Sequence, residues 1–380
     1  MSAGSAASGG RSGAGAVPTI DEPGERHDAG KAPLDNGPGP RGDAAAENKA
    51  DATAPDASLS ADATIDEPPA SFDASPPIDS AASKDVVAAD APPAAAKTCE
   101  VRGKLPLTPR TVLVIPSVDD FAFDGLGNAV AVDFHTHDLI AQPLVGPRKV
   151  LVPNLTSGTA SFAVRVLPDG HILVSANSAG AAGMGGDYSV YDVDPAAGTT
   201  TTLGTVHNFI KYLAVDSSGF AYAAGEGAIF RIDTGTPTNP VSLTDTVRSK
   251  LFLFGITISP DYSTLYVNED SGQISKIALG PDRNVVGPLQ PLAKLNSYPG
   301  NMTTDECGNI YAAGGDGNVW RVTPAGQSTI VATSQIAKSR DDRLNSINFG
   351  SGVGGWKATA LYLGHPSGTL EEVDLGVRGM

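Results

Sequence analysis

One unit recurs along this chain, and its period fixes the class of fold. It is clearest from Phe254 to Leu279, FGITISPDYSTLYVNEDSGQISKIAL. Gly255 to Ser259 is a short apolar run. Pro260-Asp261-Tyr262-Ser263 carries turn chemistry, because Pro presets one backbone angle and Asp caps a tight reversal. Thr264 to Val267 is β-branched and aromatic, Ser271-Gly272 makes a second turn, and Gln273 to Leu279 alternates apolar with polar. Short strands bounded by turns are an all-β pattern. The pattern returns as FAFDGLGNAVAV at Phe121, FAVRVLPDGHILVS at Phe162, YLAVDSSGFAYAA at Tyr212, NMTTDECGNIYAA at Asn301 and INFGSGVGGWKATALYL at Ile347. Anchored at Val130, Leu173, Tyr222, Tyr266, Tyr311 and Tyr362, the spacings are 43, 49, 44, 45 and 51 residues. A period in the mid-forties with several strands per unit means propeller blades of about four strands each. The expected fold is an all-β, six-bladed β-propeller. Its last unit has room for only three strands. The apolar run Thr111 to Ile115, upstream of the first unit, is expected to supply the fourth and so remove the open sheet edge.

Residues 1–97 stand apart from this pattern. They are rich in Ala, Pro, Gly, Ser and Asp, with Phe72 the one aromatic, and carry 16 acidic against 7 basic residues. Such a segment buries too little apolar surface to offset the entropy of ordering, so a disordered spacer is expected ahead of a propeller domain over 98–380. Of the formal net charge of −16, −9 lies in this spacer and −7 in the domain. The domain shows no basic stripe with interleaved aromatics, so nucleic acid is not an expected partner. No run of about 18 apolar residues exists to form a membrane-spanning helix. The first 16 residues lack a basic-then-apolar export pattern. The acidic, Pro-rich spacer nevertheless resembles those of bacterial lipoproteins and secreted proteins, so a cell-envelope or secreted location stands beside a cytoplasmic one. The two cysteines, Cys99 and Cys307, allow either free thiols or a bridge tying the start of the domain to the fifth blade. Their spacing fits no zinc motif.

Several stretches resemble the gluconolactonase and regucalcin superfamily, which includes strictosidine synthase-like proteins. ISPDYSTLYVNEDSGQISKI is similar to that family's SPDGKTLYVADTGAGRIYRF texture, and PGNMTTDECGNIYAAGGDGNVWRV to its PDGMAVDAEGNLWVAGGGGVWRV. VDDFAFDGLGNAVAVD looks like its opening blade, and FGSGVGGWKATALYL with VDLGVRG like its final one. The resemblance implies a divalent cation, usually calcium, at the top of the central channel, where it polarises a lactone or ester carbonyl. Carried over residue by residue, the family's Glu falls at Asp119, beside Asp120. Its Asn falls at Phe254, and its Asp falls at Gly300, beside Asn301. Asn345 and Ser346 fall near a channel-lining polar position. The resemblance therefore implies Asp119, Asp120 and Asn301 as catalytic residues and Asp119 and Asn301 as ligands of a weakly held calcium.

Other residues add candidates. His135, His137 and Asp138 form HTHD, a hairpin turn that offers imidazole ligands or merely a polar reversal. His207 and Lys211 precede the third innermost strand, at the mouth or on the surface. Phe254, Asn345, Lys211 and His135 are the candidate ligand-contacting residues. The Gly-rich loop from Ser175 to Asp187 reads as a lid or as plain loop, and it is not a phosphate loop. No Gly-x-Ser-x-Gly elbow occurs. Two functions are open: a metal-assisted lactone or ester hydrolase with a degraded metal site, and a non-catalytic propeller binding a small ligand or a protein at its channel mouth.

Overall fold

The computed structural model describes residues 99–115, 119–155, 161–177, 186–235, 240–243, 252–337 and 342–380. The spacer expected over 1–97 lies outside them. Every element in these residues is a strand. β1 (Arg110–Val114) comes first. Blade 1 is β2 (Phe121–Phe123), β3 (Asn128–Val132), β4 (Leu139–Pro143) and β5 (Lys149–Val152). Blade 2 is β6 (Ser161–Val166), β7 (Ile172–Asn177), β8 (Tyr188–Asp194) and β9 (Thr199–Val206). Blade 3 is β10 (Ile210–Val215), β11 (Ala221–Gly225), β12 (Ile229–Ile232) and β13 (Val241–Ser242). Blade 4 is β14 (Leu253–Ile258), β15 (Thr264–Glu269), β16 (Gln273–Leu279) and β17 (Val285–Lys294). Blade 5 is β18 (Pro299–Thr304), β19 (Ile310–Gly314), β20 (Asn318–Val322) and β21 (Ser328–Thr333). Blade 6 is β22 (Ser346–Phe349), β23 (Ala360–Gly364) and β24 (Thr369–Asp374), completed by β1.

Each blade is an antiparallel meander. The first strands pack side by side in the cycle β2, β6, β10, β14, β18, β22 and back to β2, which is a closed ring. All six anchor residues of the sequence repeat fall in the second strand of a blade. The hairpin joining first to second strand explains why the repeat was so regular. Asp124 accepts the N–H groups of Leu126 and Asn128 at 2.8 and 2.9 Å. Asp216 holds Ser218 and Phe220, and Asp305 holds Cys307 and Asn309, in the same way. Three residues after each Asp stands a glycine, Gly127, Gly219 or Gly308, at φ +105°, +88° or +82°. That backbone region costs a side chain but not glycine.

The core is divided into six apolar layers, one between each pair of neighbouring blades. Between blades 2 and 3, for example, Leu173, Tyr188 and Val190 meet Phe209, Leu213 and Ile232. Between blades 6 and 1, Trp356 and Tyr362 meet Phe121 and Ile140. A blade therefore has no core of its own, and stability depends on closing the ring.

Closure takes the expected form. β1 pairs with β24, Arg110 opposite Glu372 and Val114 opposite Thr369, one residue earlier than the run read from sequence. Arg110 also pairs with the buried Glu372 carboxylate at 3.0 Å. Just before β1, Leu107 exchanges backbone hydrogen bonds with Val331 and Thr333 of β21. Further upstream, Cys99 is bridged to Cys307, with Cα atoms 5.8 Å apart across 208 residues of sequence. From the other end, the Glu306 and Met380 N–H groups donate to Arg378 O and Thr304 O. The turn at 304–307 of blade 5 thus holds the chain on both sides of the seam.

Closing so long a loop in the unfolded chain implies a large entropic effect, about 5 kcal/mol on the chain-entropy model. Replacing both cysteines by serine should lower unfolding stability by about 2–5 kcal/mol in urea denaturation. A reductant should reproduce the loss in the parent and add nothing in the variant. Coincident curves for parent and variant would show that the bridge does not support the ring.

Candidate functional site

The first strands of four blades share a defect. Pairing with the second strand slips between Ser161 and Ala163, between Ile210 and Tyr212, between Leu253 and Ile256, and between Pro299 and Met302. A bulge re-aims the residues it contains. Here it lies near the N-terminal end of each strand and contains Lys211, Phe254 with Gly255, and Gly300 with Asn301. Asp119 and Asp120 stand just before β2, and Asn345 just before β22. These ends together form the upper end of the channel.

The structure brings five predicted residues into one buried network. Asp119 and Asp120 are 6% and 3% exposed, and Lys211, Asn301 and Asn345 are equally enclosed. The Lys211 ammonium donates to Asp119 Oδ2, and Asn345 Nδ2 donates to Asp119 Oδ1. On the other carboxylate, Arg165 Nη1 donates to Asp120 Oδ2 at 2.7 Å and the Val164 N–H adds a bond at 3.2 Å. Asn301 Nδ2 donates to Asp120 Oδ1 at 3.1 Å. The Asn345 carbonyl accepts from Tyr212 Oη and from the Asn301 N–H, at 2.9 and 2.8 Å. Asn345 Oδ1 accepts from Arg343 Nε at 2.8 Å. Blade 4 joins through Asn268, which donates to Gly300 O at 2.8 Å and accepts from the Gly255 N–H. Lys211 is thus a buried ion-pair partner and not a surface residue.

Burial pushes the Asp120 carboxyl above the usual carboxylate range, against the opposing pull of Arg165. Its contribution to stability therefore falls as pH rises from the ordinary carboxylate range to its folded value and is constant above that. Burial, with Asp119 and Asp120 nearby, also raises the Tyr212 phenol far above its usual value.

Above the network lies an aromatic layer. Phe254 is buried, its ring 5.0 Å from Tyr298 and 6.5 Å from Phe209, which in turn lies 5.4 Å from Tyr188. Burying one such ring is worth about 1.5–3 kcal/mol. Tyr298 is 46% exposed, with the Arg343 guanidinium 6.0 Å from its ring centre. The fourth ligand-contact candidate is elsewhere. His135 is exposed in the β3–β4 hairpin, where its N–H donates to Asp133 Oδ1, and it takes no part in the network. Most of the loop read as a lid, residues 178–185, lies outside the described residues.

A hard cation wants six to eight oxygens converging from several sides. This donor set does not fit one. Asp119 is already engaged by an ammonium and Asp120 by a guanidinium. Phe254 offers no oxygen. A Cβ at Gly300 would stand 2.4 Å from Asn345 O and 3.0 Å from Ala313 Cβ, so a carboxylate there has no room. Among the described residues no three His, Cys, Asp or Glu side chains gather as a metal site. In a second buried cluster, Ser334 Oγ and His365 Nε2 both meet Glu371 Oε2, at 2.5 and 2.9 Å, and lie 3.4 Å from each other.

Arg165, Tyr212, Asn268 and Arg343 were not singled out from sequence. Arg165 had a signal: in FAVRV it is the one charge in an apolar innermost strand, where a cation needs a buried partner.

No family model matches the sequence, and no curated protein matches it. Solved structures do. A gluconolactonase from Xanthomonas campestris superposes with a TM-score of 0.54 at 15% identity, over 71% of this chain and 89% of that one. The calcium-binding protein regucalcin from Agrobacterium tumefaciens gives 0.54 at 16% identity, over 71% and 94%. An auxiliary nutrient binding protein from Bacteroides ovatus gives 0.51 at 13% identity, over 71% and 72%. The fold is the six-bladed propeller of gluconolactonases and regucalcin. At these identities the likeness establishes the fold alone.

Lys211→Met should cost about 3–5 kcal/mol in urea denaturation, because it strands the Asp119 charge in a buried site. Adding Asp119→Asn should recover a large part of that loss. A Lys211→Met protein within about 0.5 kcal/mol of the parent would mean that the ion pair is exposed to water and dispensable.

Proposed function

We propose that the protein is a metal-independent binding propeller, not a lactone hydrolase, and that its ligand is a small molecule held at the channel mouth. The observation that carries this reading is the Lys211 ammonium on Asp119. It puts a protein cation against the carboxylate that a catalytic metal would need, and Arg165 does the same for Asp120. Two cations neutralise the two carboxylates, so no carboxylate is left over to bind a metal or act as a free general base. A fold this versatile houses both enzymes and binding proteins, so the site must decide.

What the mouth offers instead is a surface. Tyr298 is half exposed, Phe252 is partly exposed 6.1 Å from Phe254, and Arg343 lies against the Tyr298 ring. An aromatic face beside a guanidinium suits a planar or sugar-like ligand that carries polar or anionic substituents. The Cys99–Cys307 bridge supports a location in an oxidising compartment, outside the cytoplasm.

Calorimetric titration of the full chain should give no saturable calcium binding below about 1 mM, the range of weak extracellular sites. Sugar-lactone hydrolysis should be no faster with calcium, magnesium, manganese or zinc than without. Stoichiometric calcium binding together with metal-dependent hydrolysis would overturn this reading in favour of the hydrolase.

A further inference from the structure

The lower end of the channel holds a feature that the upper site does not use. The last residues of three innermost strands, Phe123 of β2, Val166 of β6 and Phe349 of β22, wall a cavity of about 410 Å3. Arg165, Asn348 and Arg378 also line it, and none of its lining residues is acidic. A volume of this size holds a small organic molecule.

Arg165 is the informative residue. Its side chain is 12% exposed. Both of its hydrogen bonds, to Asp120 Oδ2 and to Val164 O, run through Nη1. Nε and Nη2 have no partner among the described residues, yet the side chain faces the cavity. Donors that open onto a cavity are available to an occupant, and two donors on one edge match the two oxygens of a carboxylate. Arg378, exposed at the rim and in no ion pair among the described residues, adds a second positive charge. Phe123, Phe349 and Val166 supply an apolar wall for the rest of such a molecule. Asn348 donates to Phe121 O through Nδ2, which leaves its Oδ1 to accept from the occupant.

We infer that this cavity is a second binding site, for a compact organic monocarboxylate with an apolar body. The carboxylate sits on Arg165 with Arg378 closing over it, and the apolar body lies against Phe123 and Phe349. Because Arg165 also holds Asp120, occupation of the lower site is felt at the upper network through one side chain.

The probe is 4-fluorobenzoate, with 4-fluorobenzamide as its neutral counterpart, each titrated into the full chain and followed by fluorine NMR and calorimetry. The benzoate should bind saturably, and the amide at least about tenfold more weakly, since a charge-assisted pair is lost. Arg165 is bound into the buried network, so Arg378→Gln is the informative variant. It should weaken the benzoate by about tenfold while the fold is kept. Tyr298→Ala, at the other end of the channel, should leave that affinity unchanged. The inference fails if the benzoate does not saturate, if the amide binds equally well, or if Tyr298→Ala abolishes binding and Arg378→Gln does not. None of these outcomes bears on whether calcium binds at the upper end, so the two readings stand or fall separately.

Discussion

Two carboxylates buried on the axis of a ring must be neutralised by whatever the other blades can reach them with. Asp119 and Asp120 enter the channel together at the start of β2. Leaving either charge unpaired there would cost several kcal/mol. Blade 3 answers with Lys211 and blade 6 with Asn345 on the first; blade 2 answers with Arg165 and blade 5 with Asn301 on the second. Asn268 of blade 4 completes the set by fixing Gly300. All six blades therefore meet in one polar network. Such a network is worth most when every member is satisfied. The apolar layers between blades supply bulk stabilisation, but they are six separate contacts between neighbours. The axial network and the seam act on the ring as a whole.

The fold was legible because its signals are local and repeated. Each hairpin from first to second strand carries its own turn chemistry, and Asp124, Asp216 and Asp305 show how directly residue type sets that turn. The missing fourth strand of blade 6 was legible by subtraction, and β1 fills it. The network was legible only in part. Asp119, Asp120, Asn301 and Asn345 could be named as candidates from the family resemblance, and Lys211 from its place before an innermost strand. That they bind one another could not, because the partners lie 92 residues apart for Asp119 with Lys211 and 226 for Asp119 with Asn345. The pairing of Cys99 with Cys307 stayed open for the same reason. His135 stands apart from the network: imidazole in a turn suggests ligation, and in the structure its N–H donates to its neighbour Asp133.

Gly300 shows how a sequence resemblance and a structure answer different questions. By the motif resemblance, it falls where that family carries a metal ligand. In the folded chain it is a position where a side chain cannot be placed, since Asn345 O occupies the space. The absence of a side chain there and the close approach of the sixth blade are one arrangement. The same holds for Phe254, which lacks a donor and fills an aromatic layer instead. The upper channel is built around protein cations, with Tyr298 exposed beside it and the partly exposed Arg343 against its ring.

In the proposed reading the Lys211 ammonium stands where a metal ion would otherwise sit beside Asp119. The direct measurement is a crystal structure of the full chain grown in manganese, with an anomalous difference map calculated at the channel axis. Lys211 Nζ should lie on Asp119, with no anomalous peak within about 2.6 Å of either carboxylate, the longest ordinary distance for a hard cation. A peak shared by Asp119, Asp120 and Asn301, with the Lys211 side chain turned away, would contradict it.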